Sequence, residues 1–115
     1  MHEYSIVASL VERVAREVEA RPGAVVRKLH VRIGEQAGVE LELLRTAFTT
    51  FRERSVCDGA ELEIESVPAA WRCARCDRAI AAGAVLRCPA CGRPAQLAAG
   101  DDIILERIEM EVRDV

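Results

Sequence analysis

Aromatic side chains are nearly missing: Tyr4, Phe48, Phe51 and Trp71 are the whole set in 115 residues. Their scarcity argues against a stacking platform for unpaired bases. A core must then be built from Val, Leu, Ile and Ala, which suits a thin layer of helices against a sheet. Histidine is scarcer still, with only His2 and His30. Two histidines so placed make no Ser-His-Asp set, and no phosphate-cradling glycine loop appears, so an enzyme is not expected. No stretch approaches the ~18 consecutive apolar residues of a membrane helix. The opening MHEYSIVASL lacks a positive n-region and soon meets Glu12, Arg13 and Arg16, so no targeting segment is expected. Positive charge is not in excess either. The net charge is −3, which disfavours nucleic acid as a partner of the whole chain.

What charge there is falls unevenly. Residues 1–66 carry nine Lys or Arg against twelve acids, residues 67–98 five Arg against Asp77 alone, and residues 99–115 two Arg against six acids. The basic middle also holds four of the five cysteines. Four thiolates on one Zn²⁺ contribute −2 there, which leaves a weak basic patch.

Periodicity orders the elements. Ile6, Val7, Leu10, Val11, Val14 and Val18 recur at helical spacing between Ser5, a candidate N-cap, and the stop at Pro22-Gly23. VVRKLHVRIG alternates as a strand, with Leu29, Val31 and Ile33 on one face and Lys28, His30 and Arg32 on the other. His30 is accordingly expected in solvent, as is Glu35 beyond the strand. A second helix follows Gly38, with Leu44, Ala47, Phe48 and Phe51 on one stripe. ELEIESV alternates with Leu62 and Ile64 inward, and RIEMEV with Ile108, Met110 and Val112 inward; the two are expected to pair. The fold class is α+β: a small sheet packed with two helices over residues 1–67 and 100–115, interrupted by an inserted zinc-ribbon-like module at 68–99.

Cys73-Ala-Arg-Cys76 and Cys88-Pro-Ala-Cys91 are two CxxC pairs eleven residues apart. A two-residue gap lets both sulfurs of a pair reach one ion, and two such knuckles complete a tetrahedron with Zn–S near ~2.3 Å. Zinc fits S₄ geometry best, with rubredoxin-type iron as its competitor. Two disulfides or a thioredoxin-like redox pair are the other readings; a reducing cytosol argues against the first, and a redox motif has no need of two copies. A closed S₄ site is structural rather than catalytic. Cys57 stands alone and reads as a small buried residue.

The amino terminus offers a second donor set. With Met1 retained, its amine, the His2 amide nitrogen and the His2 imidazole form a chelate suited to square-planar Ni(II), and Glu3 adds a carboxylate next door. A histidine at position 2 is more often a solvated terminal residue. However, the opening MHEYSI, the segment IGEQAGVELELLRTAF, and CxxC–x11–CxxC followed by a final acidic strand together resemble the HypA/HybF family over almost the whole chain. These are nickel-insertion accessory proteins for [NiFe]-hydrogenase maturation. The resemblance implies an α/β nickel domain and a zinc-ribbon-like domain, with His2 as the essential nickel ligand. Glu3 matches the family's acidic neighbour, and Glu40 matches an acid, often Asp, early in the second helix. The family's zinc ligands match Cys73, Cys76, Cys88 and Cys91.

The function so implied is a cytoplasmic nickel metallochaperone with a transported Ni²⁺ and a structural Zn²⁺, serving a [NiFe]-hydrogenase or urease. Its expected partners are a HypB-type GTPase and the hydrogenase large-subunit precursor. A homodimer through a sheet edge is also compatible with the pattern. The competing reading is a zinc-ribbon interaction module that binds nucleic acid or a protein, favoured by the five arginines.

Overall fold

The structure is a computed structural model and describes residues 3–81, 83 and 85–112. Helix α1 (Glu3–Glu19) is followed by strand β1 (Ala24–Gly34), helix α2 (Leu41–Phe51) and strand β2 (Glu61–Val67). Then come β3 (Ala70–Cys73), β4 (Arg78–Ile80), β5 (Gln96–Ala99) and β6 (Ile103–Val112). The α+β class and the order of the long elements match the periodicity. Helix α1 starts earlier than expected, so Ser5 lies inside it and does not cap it.

The chain divides into two compact units. Met1–Arg32, Val39–Glu65 and Ile104–Val115 form one; Ile33–Gly38 and Ser66–Ile103 form the other. In the first, Val7, Leu10, Val11 and Val14 of α1, Leu44, Ala47 and Phe48 of α2, and Val26, Leu29 and Val31 of β1 are all buried. Full burial of such side chains contributes about 1.5–3 kcal/mol each. Tyr4 meets Phe51 edge-on at 5.8 Å between ring centroids.

The larger sheet has strand order β2-β1-β6. The expected β2–β6 pair is therefore not formed, because β1 lies between them. Charge explains the order. Strand β1 carries Arg27, Lys28, His30 and Arg32, whereas β2 offers Glu61, Glu63 and Glu65 and β6 offers Glu106, Glu109 and Glu111. Pairing β2 directly with β6 brings carboxylate against carboxylate, an unfavourable cross-strand arrangement. With β1 central, Arg27 reaches Glu111, Lys28 reaches Glu61 and Glu63, and Arg32 reaches Glu65 and Glu106. Strand β6 begins at Ile103, ahead of the RIEMEV segment, and Val112 at its far end is 59% exposed rather than inward. An edge strand's last residue has neighbours on one side only.

His30 differs most from expectation. Its side chain is only 16% exposed, with Nδ1 3.3 Å from Glu63 and Nε2 against Glu109, while Arg107 approaches the same Nε2 at 3.2 Å. Rather than facing water, it fills the middle of the charged lattice. Its hydrogen bond, first, and then its charge and those of Lys28 and Arg107 pull the Glu109 carboxyl below the usual range.

In the second unit, residues 33–38 meet both roots of the cysteine module. Gly34 N–H donates to Asp102 O at 2.8 Å, Glu35 N–H to Val67 O at 2.7 Å and Gln36 N–H to Gly100 O at 2.7 Å. Glu35 is an exposed turn residue, as the sequence suggested, and its carboxylate also accepts from Ala69 N–H at 2.9 Å, which closes this junction. A second sheet, β4-β3-β5, runs antiparallel on both sides of β3, pairing Trp71 with Ile80 and with Leu97.

Candidate metal centres

Both CxxC segments fold the same way. The Asp77 N–H donates to Cys73 O at 2.8 Å, and the Gly92 N–H to Cys88 O at 2.8 Å. Each of these closing residues has positive φ, 52° for Asp77 and 75° for Gly92. Gly and Asp adopt that region most readily, so the dipeptides Cys76-Asp77 and Cys91-Gly92 make the turns that aim two sulfurs inward. Cys73 and Cys88 are buried with Ile80, and Trp71, Cys91 and Ala95 pack against them.

The four Sγ atoms of Cys73, Cys76, Cys88 and Cys91 all lie within 4.8 Å of one another, and Cys73 Sγ to Cys91 Sγ is 3.6 Å. A tetrahedron with Zn–S of ~2.3 Å has sulfur–sulfur edges of about 3.8 Å. The cage therefore fits a tetrahedral thiolate ion, and its cysteines are free of disulfides. The thiol protons tell the same story. Backbone N–H groups of the knuckles lower two of them: the Cys76 N–H, 3.4 Å from the sulfur, lowers Cys73, and the Cys91 N–H brings Cys88 down to about 6. Cys76, crowded by Cys88 and then Cys91, is pushed up to about 12. Four sulfurs this close cannot all ionise against one another, and a bound divalent cation removes the conflict.

The expected nickel set is at the other end of the chain. His2 and the Met1 amine lie outside the described residues. Glu3 is the first residue of α1 and is only 6% exposed, the one buried charged side chain among the described residues. Its Oε2 accepts the Glu40 backbone N–H at 3.2 Å. Glu40 is the N-cap of α2; its own side chain is exposed and makes no capping bond. Residues 3 and 40, far apart in sequence, are thus joined where the two helices begin. Cys57 is fully buried, and burial pushes its thiol up to about 11. It takes no part in either cluster.

Sequence periodicity missed the lattice around His30 because alternation reports which face a residue occupies and not what stands on the neighbouring strands. It also missed the tie from Glu3 to the Glu40 N–H. The available signal was an acid preceding an amphipathic run at the very start of a helix.

Known proteins resemble this chain over nearly its whole length. A family model for hydrogenase/urease nickel incorporation, metallochaperone, hypA, matches residues 1–110. A hydrogenase maturation factor HypA of Wolinella succinogenes is 38% identical over 120 residues, covering 99% of this chain and 98% of that protein. One of Shewanella baltica is 34% identical over 113 residues, covering 96% and 97%. The solution structure of the Ni metallochaperone HypA from Helicobacter pylori shares 30% identity with a TM-score of 0.70, over 98% of this chain and all of that one. The chain belongs to the HypA family of nickel-incorporation metallochaperones, which are maturation factors and not enzymes.

Proposed function

We propose that this chain carries Ni(II) to the precursor of a [NiFe]-hydrogenase large subunit, working with a HypB-type GTPase in the cytoplasm, with an apo-urease as a second acceptor. Its nickel set is His2, Glu3 and Glu40, with the Met1 amine completing a chelate. The supporting observation is the bond from the Glu40 N–H to the buried Glu3 carboxylate, because it brings the backbone of residue 40 to the side chain that follows His2 in the chain. Residues 1–67 and 100–115 are the nickel domain in this reading. Residues 68–99 hold one structural Zn²⁺ on Cys73, Cys76, Cys88 and Cys91, where the sulfur spacing fits the ion.

The two ligand sets suit two lifetimes. A closed thiolate cage retains its ion. An imidazole with backbone and carboxylate donors is open, and ligand exchange takes it apart without unfolding a core. Only neutral imidazole ligates, so acidification through about 6.5 ejects the cargo.

Anaerobic nickel titration of the wild type and of His2→Ala, with zinc assayed in both, tests the assignment. The expected result is one weak-to-moderate nickel site that is lost in the variant, with zinc unchanged at one per chain. A His2→Ala protein, or one extended ahead of Met1, that captures nickel as well as the wild type overturns the proposed ligand set.

A further inference from the structure

The two units treat their cations differently. In the first, Arg13, Arg16, Arg21, Arg27, Lys28, Arg32, Arg45 and Arg107 each sit within ion-pair distance of a glutamate. Arg52 turns to a carbonyl, and Arg54 is the exception. In the cysteine module only Arg72 has an acid, Asp77. Arg75, Arg78, Arg87 and Arg93 are exposed, and none has an acidic partner among the described residues; Arg87, like Arg52, donates to a carbonyl, that of Gly92 at 3.0 Å. A chain with more acids than bases has left its unpaired cations together in one small module.

Two of these arginines share a concavity. With Ala74, Pro94, Ala95 and Gln96, and with Cys73 of the cage at their edge, Arg75 and Arg93 line a hollow of about 230 Å³. Arg75 lies inside the first knuckle and Arg93 just beyond the second, so the tight cysteine turns set the backbone from which each exposed side chain projects. The small apolar residues Ala74, Pro94 and Ala95 share this lining with the two arginines. Each guanidinium can grip a carboxylate in bidentate fashion, and the apolar part of the lining accepts an apolar side chain.

We infer that this hollow docks an acidic segment of a partner protein, one that places carboxylates on Arg75 and Arg93 and an apolar side chain between them. Charge complementarity carries the inference: the module is the part of the molecule whose cations lack counter-charges. A nucleic acid fits less well. Trp71, the module's single aromatic residue, is half-buried against Cys73 and Cys88, so no ring is presented for base stacking. A thiolate-bound zinc also trims the module's excess charge, and the acidic remainder repels a long polyanion. This docking surface is independent of the nickel ligands, so either assignment can fail alone.

The test uses the zinc-loaded full chain and fluorescence anisotropy. The probe is a fluorescein-labelled ten-residue peptide of alternating Glu and Leu, and its counterpart replaces every Glu with Gln. The wild type is expected to bind the acidic peptide and bind the Gln peptide at least tenfold more weakly. Arg75→Glu/Arg93→Glu should lose at least tenfold in affinity. Arg16→Glu/Arg45→Glu, with the same change in net charge, should lose less than threefold. Equal losses in the two double variants mean diffuse attraction and overturn the proposal. So does equal binding of the Gln peptide, or displacement of the acidic peptide by single-stranded RNA or DNA at lower concentration than by unlabelled peptide. If charge reversal costs zinc, Arg75→Gln/Arg93→Gln decides. Zinc retained with peptide binding lost supports docking, whereas peptide binding retained, or zinc lost again, assigns the arginines to the thiolate cluster and refutes it.

Discussion

The Gly34→Ala substitution offers the sharpest quantitative check on the junction at the root of the cysteine module. A Cβ at Gly34 lies 2.1 Å from the carbonyl carbon and oxygen of Gly100 and 2.6 Å from Asp101 N. These are backbone atoms and cannot swing away. Gly100 is itself held at φ 99°, with Ala69 Cα 2.7 Å and Pro68 O 2.8 Å from where its own Cβ would stand. Relief therefore requires the two backbones to part, at the expense of Gly34 N–H to Asp102 O and Gln36 N–H to Gly100 O. Overpacking costs about 1–3 kcal/mol, and two weakened hydrogen bonds add about 1–3 kcal/mol. The backbone at Gly34 is not in the left-handed region, so alanine recovers only about 0.4–1 kcal/mol of unfolded-state entropy. Crowding wins, with a net loss of roughly 1–6 kcal/mol by these terms. Gly38→Ala is the control. Gly38 has φ 74° but nothing within 4 Å of an added Cβ, so it pays only the local conformational penalty of about 1–2 kcal/mol. Urea unfolding of both variants with zinc in excess, followed by circular dichroism and by Trp71 fluorescence, gives the comparison. Gly34→Ala no less stable than Gly38→Ala would refute the close approach of the two backbones.

Three further outcomes follow from features already described. Removing zinc with a chelator should abolish amide-exchange protection in β3, β4 and β5 while α1 and α2 stay protected. The module's buried cluster is little more than Cys73, Ile80 and Cys88, and metal binding supplies apparent free energies of order 10–16 kcal/mol in comparable peptides; exchange that stays slow in β3 without metal contradicts this. In an NMR titration Glu109 should ionise at lower pH than an ordinary glutamate and move up toward about 4.3 in His30→Ala. Because its folded-state value is depressed, its contribution to stability is present above that ordinary value and is lost as pH falls through the lower one; an unmoved midpoint in His30→Ala rules out the contact. Cys57, buried with its thiol raised to about 11, should resist iodoacetamide at pH 8 in the folded protein and react once urea unfolds it. Rapid labelling under native conditions contradicts its burial.

Spacing made the long elements legible, since Val7, Leu10, Val11 and Val14 repeat at a helical period and Leu29, Val31 and Ile33 at a strand period. The cysteine cage was legible because its geometry is local: each knuckle is five residues long and ends in a residue suited to positive φ. Strand order was not, because hydrophobic alternation is identical for β1, β2 and β6 in this respect. The signs of the charges, basic on β1 and acidic on its neighbours, held that information, and reading it required comparing segments rather than scanning each alone. Ser5 misled as an N-cap because capping propensity is a weak prior, and α1 starts at Glu3, whose carboxylate ties α1 to the start of α2. The role of Glu35 was invisible for a similar reason. Its partner, Ala69 N–H, lies 34 positions away in sequence.

The module's place in the middle of the chain has a polymer-physics consequence. Its residues, Ser66–Ile103, enter from β2 and leave into β6, the two outer strands of one sheet. Stripped of its ion, the segment becomes a slack tether with both ends anchored, rather than a tail free to drift. Closing such a tether costs free energy that grows only as (3/2)RT ln n, so even doubling its length adds just ~0.6 kcal/mol. The strand pairing on either side should therefore be nearly indifferent to how many residues the tether contains, and the molecule can tolerate lengthening or shortening there far better than any change at the glycine crossing that fastens its ends.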